Sequence, residues 1–343
     1  MKSKYTHGIA ALAAIAVVAL AATAAAGAKM TETLTGAGST FVFPLVSQWI
    51  PAYQAAGGVT ISYGSVGSGA GIAQITARTV DFGASDAPLT PDQEKACHGC
   101  AQIPWAVSAT SVDYKVAGIP QHIKLTGPIV ANIYLGKITN WNDAAIRKLN
   151  PGVNFPNLKI TPVYRSDGSG TTYNFTDYLS SVSSEWKSKV GVGTTVSFPA
   201  GVGGKGNSGV SGVLSQTEGG IAYTDVAYAV NNHFQTARVQ NKAGKYVLAD
   251  NAAIQAAANT VTKVPASNEM HIVNPPKSVP KAYPISTFTY VIIPLQTPHT
   301  ATLRRFVFWA LTSGQKYGPK LRFVTIPKPV LVAAEKTLKT VHS

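Results

Sequence analysis

Three short segments of this chain combine glycine with small hydroxyl residues in a way that could hold a small anion. They are Gly38-Ser39-Thr40-Phe41, Gly67-Ser68-Gly69 and Gly168-Ser169-Gly170-Thr171. Each follows a strand-like run and opens a helix-like one. The first N–H groups of a helix lack intrahelical acceptors, and the helix dipole puts its positive end there, so such turns attract anions. Glycine lets the backbone approach a ligand closely, and the hydroxyls add neutral donors. Taken singly, a Ser or Thr at a helix start is an ordinary N-cap. Three together, with Arg165 just ahead of the third, point to an anion pocket.

Two charged residues refine that chemistry. Arg165 ends a strand-like run and can present a planar, bidentate fork to a tetrahedral oxyanion. Asp167 lies two residues on and can fix the guanidinium by an ion pair. Asp86 is the anomaly, since a carboxylate beside an anion costs electrostatic energy unless the ligand gives it a proton. Phosphate keeps a P–OH near neutral pH and sulfate has none, so Asp86 would accept from the first and repel the second. A turn or cap role ahead of Pro88 is the competing reading of Asp86.

The elements that must position these residues read as strands alternating with helices. Leu34 to Thr40 leads into FVFPLVSQWIPAYQ, which is apolar at helical spacing; Ser39 and Thr40 are good cap residues, and Pro44 suits a first turn. VTISY (59–63) reads as a strand, IAQITAR as a helix, and VDFGASD (80–86) as a short strand. ITPVY (160–164) reads as a strand before the helix TYNFTDYLSS, and FPAGVGGKGN (198–207) as a glycine-rich connection. SGVSGVLSQ as helix, GGIAYTDVAYA as strand and turn, the strand STFTYVII (286–293) and two amphipathic C-terminal helices complete the pattern. Residues 235–282 read as irregular or mixed. The expected class is α/β, with parallel sheets covered by helices on both faces and a ligand at the carboxyl ends of the strands.

With 343 residues, 45% hydrophobic and 13% charged, the chain can build two modest domains and is not disordered. Lys2 and Lys4, the apolar run Gly8 to Ala22, and Ala26-Gly27-Ala28 form an export signal expected to be cleaved near Ala28. No Cys follows that run, so a lipid anchor is not expected. The formal charge of +14 falls to +12 without residues 1–28, which hold two lysines and no acid. That balance favours anionic partners. Nucleic acid is disfavoured, because Lys and Arg are scattered and not interleaved with aromatics. Cys97-His98-Gly99-Cys100 reads in an exported chain as a local disulfide by default. A thioredoxin-like redox motif would open a helix after a strand, and haem attachment needs His after the second Cys.

Several of these stretches resemble the periplasmic phosphate-binding component of the phosphate-specific ABC importer (the PstS family, type II periplasmic binding protein fold). The resemblance rests on Leu34-Thr35-Gly36-Ala37-Gly38-Ser39-Thr40-Phe41, on VDFGASDAP (80–88) and on Asp167-Gly168-Ser169-Gly170-Thr171. It extends through Ile133 to Ile138, Trp141-Asn142-Asp143, Leu149 to Gly152 and Gly203-Gly204-Lys205-Gly206-Asn207, over nearly the whole mature chain. It implies two doubly wound α/β lobes joined by two crossing strands, with residues 1–28 as signal peptide, 29–105 plus 283–343 as one lobe and 106–282 as the other. It implies that Thr40 donates through its hydroxyl and Phe41 through its backbone N–H, Ser68 through hydroxyl and N–H, and Ser169, Gly170 and Thr171 from the third helix start. Asp86 would accept the phosphate proton, and Arg165, oriented by Asp167, would give the one cationic contact. Ser39 stands where the family often has Ala, and Gly69 where it often has a second Ser. The implied partners are inorganic phosphate and membrane permease subunits, for a monomer in the periplasm with no metal, no cofactor and no enzymatic activity.

Three rival functions make different demands on the sequence. A Ser-dependent hydrolase would need a Gly-x-Ser-x-Gly elbow, which the chain lacks, and a metallophosphatase would need clustered histidines, whereas the seven here are isolated. A binder of another tetrahedral oxyanion keeps the same fold and differs at Asp86. A secreted phosphate scavenger would share every motif above.

Overall fold

The computed structural model describes residues 32–343; the expected signal peptide lies outside the described residues. The chain begins with β1 (Thr33–Gly38), α1 (Phe43–Ala55), β2 (Thr60–Ser65), α2 (Ser68–Thr76) and β3 (Phe82–Ser85). These three strands run parallel, in the order β2-β1-β3. A short helix α3 (Pro91–Ala96), with Thr90 and Gln93 forming a reciprocal capping box, leads into β4 (Cys100–Lys115), 16 residues long. Next come β5 (Lys124–Leu125), α4 (Gly127–Tyr134), α5 (Ala144–Leu149), β6 (Thr161–Arg165), α6 (Gly170–Val182) and α7 (Ser184–Lys189). They are followed by β7 (Val202–Gly204), α8 (Gly206–Gln216), β8 (Gly220–Asp225) and α9 (Val226–Asn231). The segment read as irregular contains β9 (Gln235–Thr236), β10 (Arg238–Gln240), β11 (Tyr246–Val247) and α10 (Asn251–Ala258). The chain ends with β12 (Ser286–Pro294), α11 (Thr300–Leu311) and α12 (Lys328–Leu338).

The reading of parallel sheets holds within two strand sets and is corrected only at the two crossing strands that the resemblance implies. The main sheet is mixed, in the order β2-β1-β3-β12-β4-β8-β6-β7, because two strands cross between the parallel sets. β12 is antiparallel to both β3 and β4, and β4 is antiparallel to β8. The first part of β4 pairs with β12 up to Ala109, and the rest pairs with β8 from Thr110. Residues 101–114 of β4 are all buried, so both faces are covered and no period-2 signal marks the strand. A second correction falls in the glycine-rich connection, where Val202–Gly204 pairs with β6 as an edge strand.

The register dictates where a site can form. β3 and β8 enter the midline of β4 from opposite ends, and their last residues, Ser85 and Asp225, both finish near it: Ser85 lies opposite Tyr290, which pairs with Pro104, and Asp225 lies opposite Thr110. The carboxyl ends of both parallel sets therefore face each other. Each set carries its own aromatic packing. Trp49 and Trp105 meet edge-on at 5.2 Å, beside Phe82 and Phe306, on one side. Phe175 stacks on Tyr223 at 4.2 Å, next to Tyr134 and Phe198, on the other. Apart from the half-buried Phe198, these rings are buried apolar mass of the kind that fixes a domain core.

Candidate functional site

Every residue singled out for anion chemistry lies at one of these facing strand ends. Ser39, Thr40, Phe41, Ser68, Asp86, Arg165, Ser169 and Thr171 are each at most 5% exposed. The helix starts do not all use the caps expected of them. α1 begins later than Ser39 and Thr40 suggest, with Val42 at the N-cap and no side-chain cap. Ser39 Oγ instead accepts from the N–H groups of Phe41 (3.0 Å) and Val42 (3.2 Å). The Phe41 amide expected to serve a ligand is thus already engaged by Ser39. Ser169 is a true N-cap, accepting from Thr172 N at 3.0 Å.

Asp86 points into the cluster. Ser39 Oγ donates to its Oδ1 at 2.5 Å and Ser68 Oγ to its Oδ2 at 3.3 Å. The turn before Pro88 is held by Ser85 and Ala87, and α3 is capped by Thr90, so the Asp86 side chain serves neither role. Burial pushes the Asp86 carboxyl up to about 6, against the pull of donors Ser39, Thr289 and Ser68 and of the Arg165 charge. Ser68 Oγ also accepts from Gly170 N across the two strand sets at 3.1 Å. A side chain at Gly170 would meet the Asp86 carboxylate at 2.6 Å, so only glycine fits there.

Arg165 is buried and aimed by its neighbours. Its Nε and Nη2 donate to the two carboxylate oxygens of Asp167 at 2.7 and 2.6 Å, the bidentate form of an ion pair. Burial would raise the Asp167 carboxyl, but the hydrogen bonds and charge of Arg165 outweigh it, with Gly206 N–H adding, and hold it below the usual range. Arg165 Nη1 reaches Thr171 Oγ1 at 3.3 Å, and Arg165 N donates to Tyr223 Oη at 3.1 Å. Gly67, at φ 94, lets the second turn approach this pair; a Cβ would lie 2.4 Å from Asp167 Oδ2.

One member of the cluster escaped the residue-by-residue reading. Asn207, fully buried in the first turn of α8, donates to Thr40 Oγ1 from its backbone N (3.1 Å) and from Nδ2 (2.9 Å). Nδ2 also donates to Thr171 Oγ1 at 3.2 Å. The GGKGN stretch entered as a glycine-rich connection and as part of the family resemblance, and nothing in its composition marks Asn207 off from a helix-start residue. Tyr228 Oη likewise donates to Thr40 O at 2.9 Å, and Tyr63 Oη to Ser39 O at 2.9 Å.

The cluster unites backbone amides, hydroxyls, one guanidinium and one protonatable carboxylate, a set that suits a desolvated tetrahedral oxyanion carrying a proton. Among the described residues no group of three or more His, Cys, Asp or Glu side chains could hold a metal ion. Cys97 and Cys100 form a disulfide between the end of α3 and the start of β4, outside this cluster. That placement at a helix end differs from the helix-start position of a thioredoxin-like motif.

A family model for the PBP superfamily domain matches residues 23–313. The chain is 44% identical over 298 residues to the phosphate-binding protein PstS of Xylella fastidiosa strain Temecula1, covering 86% of this chain and 81% of that one. It is 37% identical over 316 residues to the PstS of Pasteurella multocida strain Pm70, covering 90% of each. The fold matches that of a high-affinity periplasmic phosphate-binding protein, PfluDING, solved with phosphate, at a TM-score of 0.73 and 20% identity over 89% of this chain and 93% of that one. The facing strand ends, the mixed sheet with two crossing strands and these likenesses agree, and the chain belongs to the PstS family of phosphate-binding proteins, with the type II periplasmic binding protein fold.

Proposed function

We propose that this protein binds inorganic phosphate in the periplasm, in a cleft between its two lobes, and delivers it to the permease subunits of an ABC importer without chemical change. The observation that carries the reading is the placement of Asp86, a buried carboxylate within a ring of donors that also holds Arg165. A carboxylate there is costly for every oxyanion except one that brings a proton. Thr40, Ser169 and Thr171 supply donors in this reading, Ser68 and Gly170 add theirs on exchanging Asp86 and Ser68 for the ligand, and Arg165 gives the charge with Asp167 to aim it. Ser39 positions the first turn and Asp86, and the Phe41 amide joins if it exchanges its Ser39 partner for the ligand.

Lobes of 29–105 plus 283–343 and of 106–282, with a cleavable segment 1–28, complete the proposal. The change of partners along β4 between Ala109 and Thr110 supports a boundary in that strand. Hinging there would open the facing strand ends to solvent. Calorimetric titration with phosphate, arsenate and sulfate tests the reading. Tight phosphate binding with weak sulfate binding is expected; tight sulfate binding would replace phosphate by another tetrahedral oxyanion, and phosphatase turnover above buffer would refute a pure binder.

A further inference from the structure

We infer that Asn207 is a positioning residue that fixes the hydroxyl protons of Thr40 and Thr171 toward the ligand, an inference that rests on the phosphate-binding reading above. A threonine hydroxyl has one proton to give and two lone pairs to receive with. Both lone pairs of Thr40 Oγ1 are taken by Asn207, from N at 3.1 Å and Nδ2 at 2.9 Å. Both lone pairs of Thr171 Oγ1 are also taken, by Asn207 Nδ2 at 3.2 Å and Arg165 Nη1 at 3.3 Å. Neither hydroxyl donates to any acceptor among the described residues. Each is therefore left as an obligate donor, unable to turn its oxygen on the ligand.

The orientation of the Asn207 amide is itself fixed. Its Oδ1 accepts from the backbone N–H of Asp225 at 3.0 Å, at the end of β8, so its nitrogen must face the two threonines. Exchanging oxygen and nitrogen would set the amide NH2 against the Asp225 N–H and turn an acceptor toward the two threonines. Asn207 is fully buried, so no water competes for these bonds. One amide thus links the first turn after β1, the start of α6 and the end of β8, and sets the hydrogen-bond polarity of two hydroxyls on opposite lobes. Two obligate donors favour the unprotonated oxygens of phosphate, while its P–OH is directed to the acceptor Asp86.

Calorimetric titration of inorganic phosphate into four proteins tests the assignment: the unchanged chain, Thr40→Val, Asn207→Ala and the double variant. A hydrogen bond to a charged acceptor is worth about 1.5–3 kcal/mol, so Thr40→Val is expected to weaken binding roughly 10- to 100-fold. In the Asn207→Ala background the same change is expected to cost under about threefold, because the hydroxyl no longer has a fixed direction. Losses that multiply, or an Asn207→Ala affinity within about twofold of the unchanged chain, would overturn the role. Asn207→Asp serves if the alanine variant does not fold. It keeps the acceptor for Asp225 N–H but cannot donate, so both hydroxyls would turn to it and Thr40→Val should cost nothing in that background. An added negative charge that merely repels phosphate would leave the Thr40→Val cost undiminished, which also overturns the role. No phosphate binding by the unchanged chain would sink the functional reading and this inference together, whereas binding with independent losses sinks this inference alone.

Discussion

Asp86 and Asp113 are both fully buried carboxylates in the same fold, and their surroundings differ in kind. Asp86 lies among hydroxyls that donate to both its oxygens and feels the positive charge of Arg165. Asp113, on the crossing strand β4, accepts at Oδ2 from Thr224 Oγ1 (2.6 Å) and Ser111 Oγ (3.0 Å), while its Oδ1 has no partner. Burial raises Asp113 to about 7, with the hydroxyls of Thr224, Ser111 and Thr236 only partly offsetting it. Asp225, next along this network, is also raised by burial, and the charges of Asp86 and Asp113 add to it despite the Ala227 amide and Ser108 hydroxyl. Burial raises both carboxyls; at Asp86 hydroxyl donors and then the Arg165 charge oppose that rise, whereas at Asp113 hydroxyls alone oppose it.

The contrast is broken most severely by removing the cation. Arg165→Ala should weaken phosphate binding by about 2–5 kcal/mol, roughly 30- to 5,000-fold, because it also frees Asp167 as a second uncompensated charge beside the ligand. An unchanged dissociation constant would show that the guanidinium does not meet phosphate. Asp113→Asn, by comparison, should leave phosphate affinity within a few-fold.

Asp86→Asn should cost roughly 10- to 100-fold in phosphate affinity and narrow the gap to sulfate. The same carboxyl predicts a pH effect whose sign can be worked out. Below about 6 Asp86 is neutral, no longer repels a fully ionised anion and can donate its proton. Sulfate affinity of the unchanged protein should therefore rise as pH falls through about 6, and stay flat in Asp86→Asn. A sulfate affinity that falls with pH in the unchanged protein would contradict this placement of the charge.

The smallest expected effect concerns stability. The folded-state value of Asp113, about 7, lies above the ordinary carboxylate value, so the native state binds its proton more tightly than the unfolded chain does. Its destabilising contribution is absent near pH 4, grows as pH rises to about 7 and is complete above that. Asp113→Asn should flatten the decline of Tm between pH 5 and pH 8. An unaltered slope would mean that the carboxyl titrates in the fold as it does in water. The slope is the quantity to compare, because an amide nitrogen facing the unpartnered Oδ1 position adds a cost that pH does not change.

The candidate cleft was more legible in the sequence than the sheet that builds it. Gly-Ser-Thr turns after strands, and an Arg-x-Asp pair before one of them, depend on local backbone chemistry, and the structure places Thr40, Ser68, Asp86, Arg165, Ser169 and Thr171 in one cluster. β4 was not legible, since a strand buried on both faces shows neither alternation nor helical spacing. β7 was missed because Val202-Gly203-Gly204 has almost no side chain with which to announce an edge strand.

By itself the sequence determined which local units form and which chemistry each end carries, because turns, caps and amphipathic runs are decided by residues within a few positions of one another. It also determined that the Arg165 charge has Asp167 beside it. Only the tertiary structure decided that β4 exchanges partners between Ala109 and Thr110, so that two sets of strand ends face each other. It alone placed Asn207 between Thr40 and Thr171, 167 and 36 positions away in the chain. Hydrogen-bond polarity at such a distance follows from which oxygen has a free lone pair once the fold is closed, and no local pattern of residues encodes that.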